Sequence, residues 1–203
     1  MRSFISIFGL GQEHTTSLTK LAVAAVRAGY AIVPVTPGGK IPMCSLTDRE
    51  RKAEPDHKCG VYHAITDAEK ARKLFARLEA DPAARPNIGI VAHPSRLVIV
   101  DCDTADQSQA FCADWAGHTG DPGYLTHSPT VATPGSRNAD GTWRHRDGGH
   151  FYFTVPDGVD LTITPASFRA SGGYEVKWGM SMAVAPPSVR EEGPYLALGD
   201  IVN

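Results

Sequence analysis

Leu97-Val98-Ile99-Val100-Asp101-Cys102-Asp103-Thr104 is the stretch from which the fold can be read. Four apolar residues in a row, three of them β-branched, predict a strand buried on both faces, of the kind found in the middle of a sheet. Side chains alternate along a strand, so Asp101 and Asp103 point to one side while Cys102 turns back into the protein. Two carboxylates held side by side repel by about 4 kcal/mol at ~4 Å and an effective dielectric near ~20, unless a cation or proton lies between them. The pair asks for a metal. The other reading is that Asp103 caps the following helix and Asp101 ends the strand, both places where Asp is common.

With 203 residues, 42% of them hydrophobic, the chain can bury one good-sized core, or a core with a small subdomain. The formal net charge of -2 and pI near 6.4 provide no global attraction to nucleic acid, so binding of that kind needs a local basic surface. Cysteines at 44, 59, 102 and 112 follow no regular framework. Reduced thiols in a cytoplasmic protein are the expectation. The run Phe4-Ile5-Ser6-Ile7-Phe8 is too short for a signal segment or a membrane span, and no later run reaches ~18 apolar residues, so no membrane association is expected.

Thr16 or Ser17 can cap a helix carrying Leu18, Leu21, Ala22 and Ala25, with Gly29 placed to stop it. A short strand over Ala31 to Val35 leads into the turn Thr36-Pro37-Gly38-Gly39-Lys40-Ile41-Pro42. Lys40 beside two glycines could meet a phosphate, although the turn lacks the P-loop pattern and an ordinary solvated lysine is the alternative. Ser45 to Lys58 reads as an exposed excursion. Cys44, His57, Cys59 and His63 around it could make a small zinc site; their spacing matches no strong zinc pattern, and a surface loop with a buried cysteine is the plainer account.

Thr66-Asp67-Ala68-Glu69 is a capping box for a helix striped by Ala71, Leu74, Phe75 and Leu78. Asn87 to Val91 predicts a strand forming a hairpin with the one that opens at Leu97. Thr104-Ala105-Asp106-Gln107 starts a helix with Phe111 and Trp115 buried and Gly117 at its end. Between Gly120 and Gly149 the chain is rich in Gly, Pro, Ser and Thr, with strands expected near Tyr124 to His127 and Thr130 to Thr133. Arg137, Trp143, Arg144, His145 and Arg146 gather there in what reads as a flexible loop, a mixture suited to a nucleic-acid backbone and a stacked base and equally to a solvated loop.

Gly149-His150-Phe151-Tyr152-Phe153-Thr154-Val155 is a strong strand with Phe151, Phe153 and Val155 on one side and His150 and Tyr152 on the other. His150, behind two glycines, suits an anion contact or a structural role. Further strands are expected over Val159 to Thr164, Tyr174 to Trp178, Met182 to Ser188 and Tyr195 to Leu198. In the second of these, Glu175 and Lys177 share one face; interior charges need a partner or an ion, and a Glu-Lys face open to water is the alternative.

The ordered series NIGIV, LVIVDCD, GGHFYF, GYEVKW and AVAPPS resembles the bifunctional primase-polymerase (Prim-Pol) domain of the archaeo-eukaryotic primase superfamily found in plasmid and phage replication proteins. The likeness runs from about Gly39-Lys40 to Ser188. It implies a single domain over 1–203 of α/β (α+β) class: a central mixed or antiparallel RRM-like catalytic sheet flanked by helices over about 87–203, with an N-terminal α/β part over about 1–86 packed on it. It also implies metal ligands at Asp101, Asp103 and Glu175, a phosphate contact at His150 in Gly148-Gly149-His150, and a triphosphate contact at Lys177. Relatives more often carry Asp where Glu175 stands and Ser where Gly148 stands, their loop before the histidine is shorter than Gly135 to Gly148, and many have more cysteines near 44 to 63.

The resemblance implies a template-directed DNA primase and polymerase using Mg²⁺ or Mn²⁺. Nucleotidyl transfer of this kind takes two metal ions ~3.5–4 Å apart. The expected partners are single-stranded DNA template, with Trp143, Arg144 and Arg146 as contacts, ribo- or deoxyribonucleoside triphosphates, and a helicase domain or protein of the same replication system. A monomer in the cytoplasm, that of the host cell if phage-encoded, is expected. One alternative is a catalytically weak module that binds nucleotide or single-stranded DNA. Another is a rolling-circle nickase, which needs two histidines around an apolar residue, where His150-Phe151-Tyr152 supplies one.

Overall fold

A computed structural model of the chain describes residues 3–9, 17–53, 58–81, 85–120, 125, 128–162 and 166–202. Helices and antiparallel strands are mixed, an α+β fold with two main sheets. The N-terminal sheet has three strands: β1 (Ile32–Val35), β2 (Asn87–Val91) and β10 (Met182–Ala185), with β2 in the middle. The larger sheet has six, in the order β13-β4-β7-β3-β9-β8, where β3 is Leu97–Cys102, β4 Val131–Ala132, β7 Gly149–Thr154, β8 Ser167–Arg169, β9 Glu175–Lys177 and β13 Leu196–Ala197. Every ladder in both sheets is antiparallel.

The β2–β3 hairpin expected from sequence does not form. β2 pairs with β1 and β10, β3 pairs with β7 and β9, and a 3-10 turn over His93–Ser95 carries the chain from one sheet to the other. All five residues of β2 are buried, so it needs cover on both faces. That cover is one continuous core uniting helix α1 (Phe4–Phe8), α2 (Leu18–Arg27) and α4 (Ala68–Glu79) with the three-stranded sheet and with Leu97, Ile99, Val131 and Tyr152 of the six-stranded one. Consequently β2 and β10 belong with the N-terminal part, and position 87 is no boundary between sheets.

A second core lies on the other face of the six-stranded sheet. There Val100, Cys102, Phe151 and Phe153 meet Phe111 and Cys112 of α5 (Ala105–Thr119), with Trp115 stacked on Phe153 at a centroid distance of 4.9 Å. Thr104 caps α5 by accepting from Gln107 N at 3.3 Å. The helix runs past Gly117, which has no turn to make, and stops at Gly120, whose φ of 72° is the left-handed geometry glycine tolerates best.

Ser17 caps α2, accepting from Lys20 N, and the Glu79 carboxylate at the end of α4 accepts from Leu18 N at 2.7 Å and Thr19 N at 3.1 Å. On α4 the cap is Asp67 rather than Thr66; Glu69 turns to Arg72 instead of completing the box. The excursion holds a short helix, α3 (Asp48–Ala53), and closes with a disulfide between Cys44 and Cys59, whose Cα atoms are 4.8 Å apart. This corrects the expectation of four reduced thiols, because the loop leaves and returns at one point and brings the two sulfurs together. Cys102 and Cys112 are free and buried.

No strand forms at 159–162, where Asp160 accepts from Thr162 N in a tight turn; the strand comes at Ser167 instead, and 163–165 lie outside the described residues. The strand expected at Tyr124 to His127 falls outside them except for Leu125, and Thr16 also lies outside. The supposedly flexible loop is a hairpin of β5 (Ser136–Arg137) and β6 (Trp143–His145). The remaining pair, β11 (Val189–Arg190) and β12 (Gly193–Pro194), follows β10. Among the described residues, no helix is long and apolar enough to cross a membrane.

Candidate active site

Register across the six-stranded sheet places the site. Asp101 lies directly opposite Glu175 on β9 and directly opposite His150 on β7, while Arg169 on β8 lies opposite Glu175. Directly paired residues share a face with Cβ atoms ~4.5–5.5 Å apart, so Arg169, Glu175, Asp101 and His150 make one row. In the next row Lys177 pairs with Ile99 and Ser167.

Asp101 and Glu175 are like charges set opposite each other, an arrangement that destabilises a sheet unless something positive joins them. Lys177 does so. Its Nζ is 2.5 Å from Asp101 Oδ2 and 3.5 Å from Glu175 Oε2. Ser167 adds a hydrogen bond to Glu175 Oε1 at 2.8 Å. On the other flank His150 Nε2 is 3.4 Å from Asp101 Oδ1, and His150 Nδ1 is buried without a hydrogen-bond partner among the described residues. Burial opposes ionisation of Asp101, but the charges and hydrogen bonds of His150 and Lys177 outweigh it and hold the carboxyl well below the usual range. Lys177 loses water too, and Asp101 and Glu175 overcome that loss and raise its affinity for the proton.

Asp103 sits past the end of β3 and takes a different partner: its Oδ1 is 3.6 Å from His145 Nδ1, on the base of the β5–β6 hairpin. The hairpin returns to the sheet through Gly148. A Cβ there would lie 2.3 Å from Cys102 O and 2.7 Å from the Asp103 carbonyl carbon. That contact leaves no room for the serine expected from relatives, so glycine is the residue that fits.

From the other sheet, the turn after β1 brings Lys40 over the same end. Loss of water lowers its pKa most, Arg190 and Lys177 add to that, and Asp101 and Asp103 pull the other way. Asn87 pins this turn, donating to Gly39 O at 3.1 Å and to Val189 O at 2.9 Å, and Gly38 bridges to Arg190. Arg190 donates to Gly135 O at 2.8 Å and to Glu192 at 3.1 Å.

On the hairpin, the Arg137 guanidinium lies 3.9 Å over the Trp143 ring, and Trp143, Arg144 and Arg146 are exposed. An Asp140-Thr142 turn and a hydrogen bond from Arg137 to Gly141 O at 2.7 Å hold the tip.

The structure thus brings together Asp101, Glu175, His150 and Lys177, with Lys40 nearby. Asp103 stands at the same strand end but faces His145. Cys44 and Cys59 are joined to each other, which removes both as thiolate ligands of the suggested zinc arrangement; His57 lies outside the described residues, and the His63 carbonyl accepts from Ser45 Oγ. Among the described residues no three His, Cys, Asp or Glu side chains converge closely enough to hold a metal ion. The donor chemistry nevertheless suits a hard divalent cation, since Asp101 and Glu175 present oxygens to one shared positive charge.

Sequence reading missed Ser167 and Arg190 as neighbours of the site. Ser167 was hidden because β8 carries no alternating pattern of its own, and Arg190 because only the fold brings it to the Lys40 turn. The model of the family of bifunctional DNA primase/polymerase N-terminal domains (Prim-Pol) matches residues 22–201. No curated protein matches the chain.

Proposed function

Since the chain belongs to the bifunctional DNA primase/polymerase (Prim-Pol) family, we propose that it extends and starts DNA strands by template-directed nucleotidyl transfer, in the replication of a phage or plasmid genome. The family supports a primase/polymerase-type nucleotidyltransferase in general. The observation that carries the finer reading is the row Glu175, Asp101, His150 with Lys177 between the two acids.

Asp101 and Glu175 would hold Mg²⁺ or Mn²⁺, with Asp103 completing the set once its carboxylate leaves His145. Bound divalent cations supply a more acidic primer hydroxyl and neutralise the leaving pyrophosphate. The chain's own groups do the rest. His150 keeps Asp101 ionised and fixes where it points. Lys177 between the acids and Lys40 near Asp101 and Asp103 supply positive charge suited to the polyphosphate of an incoming nucleotide. Trp143 offers a ring face, with Arg144 and Arg146 beside it, to an unpaired template base and its backbone. A helicase would act in the same replication system.

The test is incubation with template, labelled nucleotides and Mg²⁺ or Mn²⁺. Asp101→Ala, Asp103→Ala and Glu175→Ala each abolish incorporation while the folded protein persists by circular dichroism. Synthesis unaffected in these variants overturns the reading. One observation favours the alternative of a catalytically weak binding module: Asp103 is engaged with His145 rather than with the other two acids. If that is the state that matters, the wild-type protein binds nucleotide or single-stranded DNA and incorporates none.

A further inference from the structure

The Lys177 ammonium lies between Asp101 and Glu175, the two carboxylates that would hold a divalent cation. The lysine side chain is only 16% exposed, and its ammonium is the charge that Asp101 and Glu175 share. We propose that Lys177 and the divalent cation compete for these same two carboxylates, so that uptake of the cation frees Lys177 to reach the phosphates of the nucleotide. This deepens the polymerase reading and rests on it.

Three observations support the exchange. First, Asp101 and Glu175 are opposed in register, and a positive charge between them relieves the repulsion of their carboxylates. One ammonium leaves the trio at a net charge of -1, whereas a divalent cation cancels both carboxylates and approaches oxygen more closely, ~2.0–2.1 Å for Mg²⁺. Second, lysine is a compact charge on a flexible four-carbon stem, and unlike arginine it makes no planar two-point grip that would resist release. Third, the direction of release is set: Lys40 sits close enough to feel the charges of Asp101, Asp103 and Lys177, while Arg190 is already paired with Glu192, so an ammonium turned out from the carboxylates meets Lys40 and settles there only when an anion balances the two lysines. Nucleotide binding and metal binding are then coupled through one side chain.

Mn²⁺ binding by isothermal titration, without nucleotide, tests this on the full chain. Lys177→Met binds Mn²⁺ at least about tenfold more tightly than wild type, because the competitor is gone. Its melting temperature is lower than wild type in chelator and recovers more on adding Mn²⁺. In incorporation assays its KM for nucleotide rises. Lys177→Arg keeps the positive charge and binds Mn²⁺ no more tightly than wild type. If Lys177→Met fails to fold, Lys177→Gln, which retains a hydrogen-bond donor for Asp101, shows the same ordering.

Equal or weaker Mn²⁺ binding in Lys177→Met, with binding still abolished by Glu175→Gln, overturns the competition and leaves the carboxylate site standing. Binding absent from wild type and Lys177→Met alike, or unchanged by Glu175→Gln, overturns the metal site itself and with it the polymerase reading.

Discussion

The two faces of β3 part ways at its C-terminal end, where Asp101 follows the buried Leu97 and Ile99 on one side while Val100 and Cys102 stay apolar on the other. Val100 and Cys102 turn into an aromatic cluster with Phe111, Phe151 and Phe153, where non-directional burial is the chief source of stability. Asp101, between them, turns the other way into a lattice of charges with His150, Glu175 and Lys177. A single residue step separates the two. The apolar face holds the strand so rigidly in register that the polar face can keep like charges opposed, which a looser sheet would relieve by slipping.

This contrast can be broken from either side. The largest effect on stability is expected from Phe111→Ala, which empties the aromatic cluster; denaturant unfolding should show a loss of about 3–5 kcal/mol, with Mn²⁺ affinity of the folded protein unchanged. A loss below ~1 kcal/mol would mean the aromatic cluster is not a chief source of stability, and a shift in metal affinity would mean the faces are not independent.

Next comes Asp101→Asn, expected to cost about 1–3 kcal/mol near neutral pH because Lys177 then keeps only Glu175 as a counter-charge and loses its ion pair with Asp101. Its pH dependence is diagnostic. Asp101 titrates below its unfolded value of 3.8, so its contribution is present above about pH 4 and is lost as pH falls further. Lys177 titrates above 10.5, so its share persists until pH rises past that value. The gap between wild type and Asp101→Asn should therefore be widest between these limits and narrow in acid; a gap that widens in acid would refute the assignment.

Thr104→Ala removes the cap of α5, on the apolar side, and should cost about 1 kcal/mol in the same unfolding measurement. Smallest is Trp143→Ala on the exposed hairpin, which should change stability by no more than about 0.5 kcal/mol while weakening binding of a single-stranded oligonucleotide measured by fluorescence anisotropy. Unchanged binding would remove the hairpin from the template path.

Sequence reading reached most of the central elements because their signals are local. The β-branched run at Leu97, the alternation after Gly149 and the cap at Thr104 each act within one element, and the structure has all three. The α+β class came with the family resemblance that these elements carry, and the mixed helices and antiparallel sheets bear it out. Pairing was less legible. Asn87 to Val91 is apolar at almost every position, so nothing in it distinguishes a hairpin with β3 from burial between β1 and β10. At the site, Asp101 and Glu175 were recognised as acids on strands, but the ammonium that joins them depends on a cross-strand diagonal absent from linear spacing. Asp103's turn toward His145 depends on a hairpin whose Gly, Asn and Asp residues read as disorder in one dimension and as tight turns in three.

The passage of the chain between sheets has a practical outcome for anyone shortening it. β2 is the central strand of the three-stranded sheet, and β1 lies before position 87. A fragment beginning at Asn87 would strip one side of β2, leaving Ile88 and Ile90 on a strand with bare amide and carbonyl groups. Such an edge recruits any strand it meets, so the fragment should self-associate, and an apparent oligomer made that way would be a product of the truncation rather than a property of the native chain.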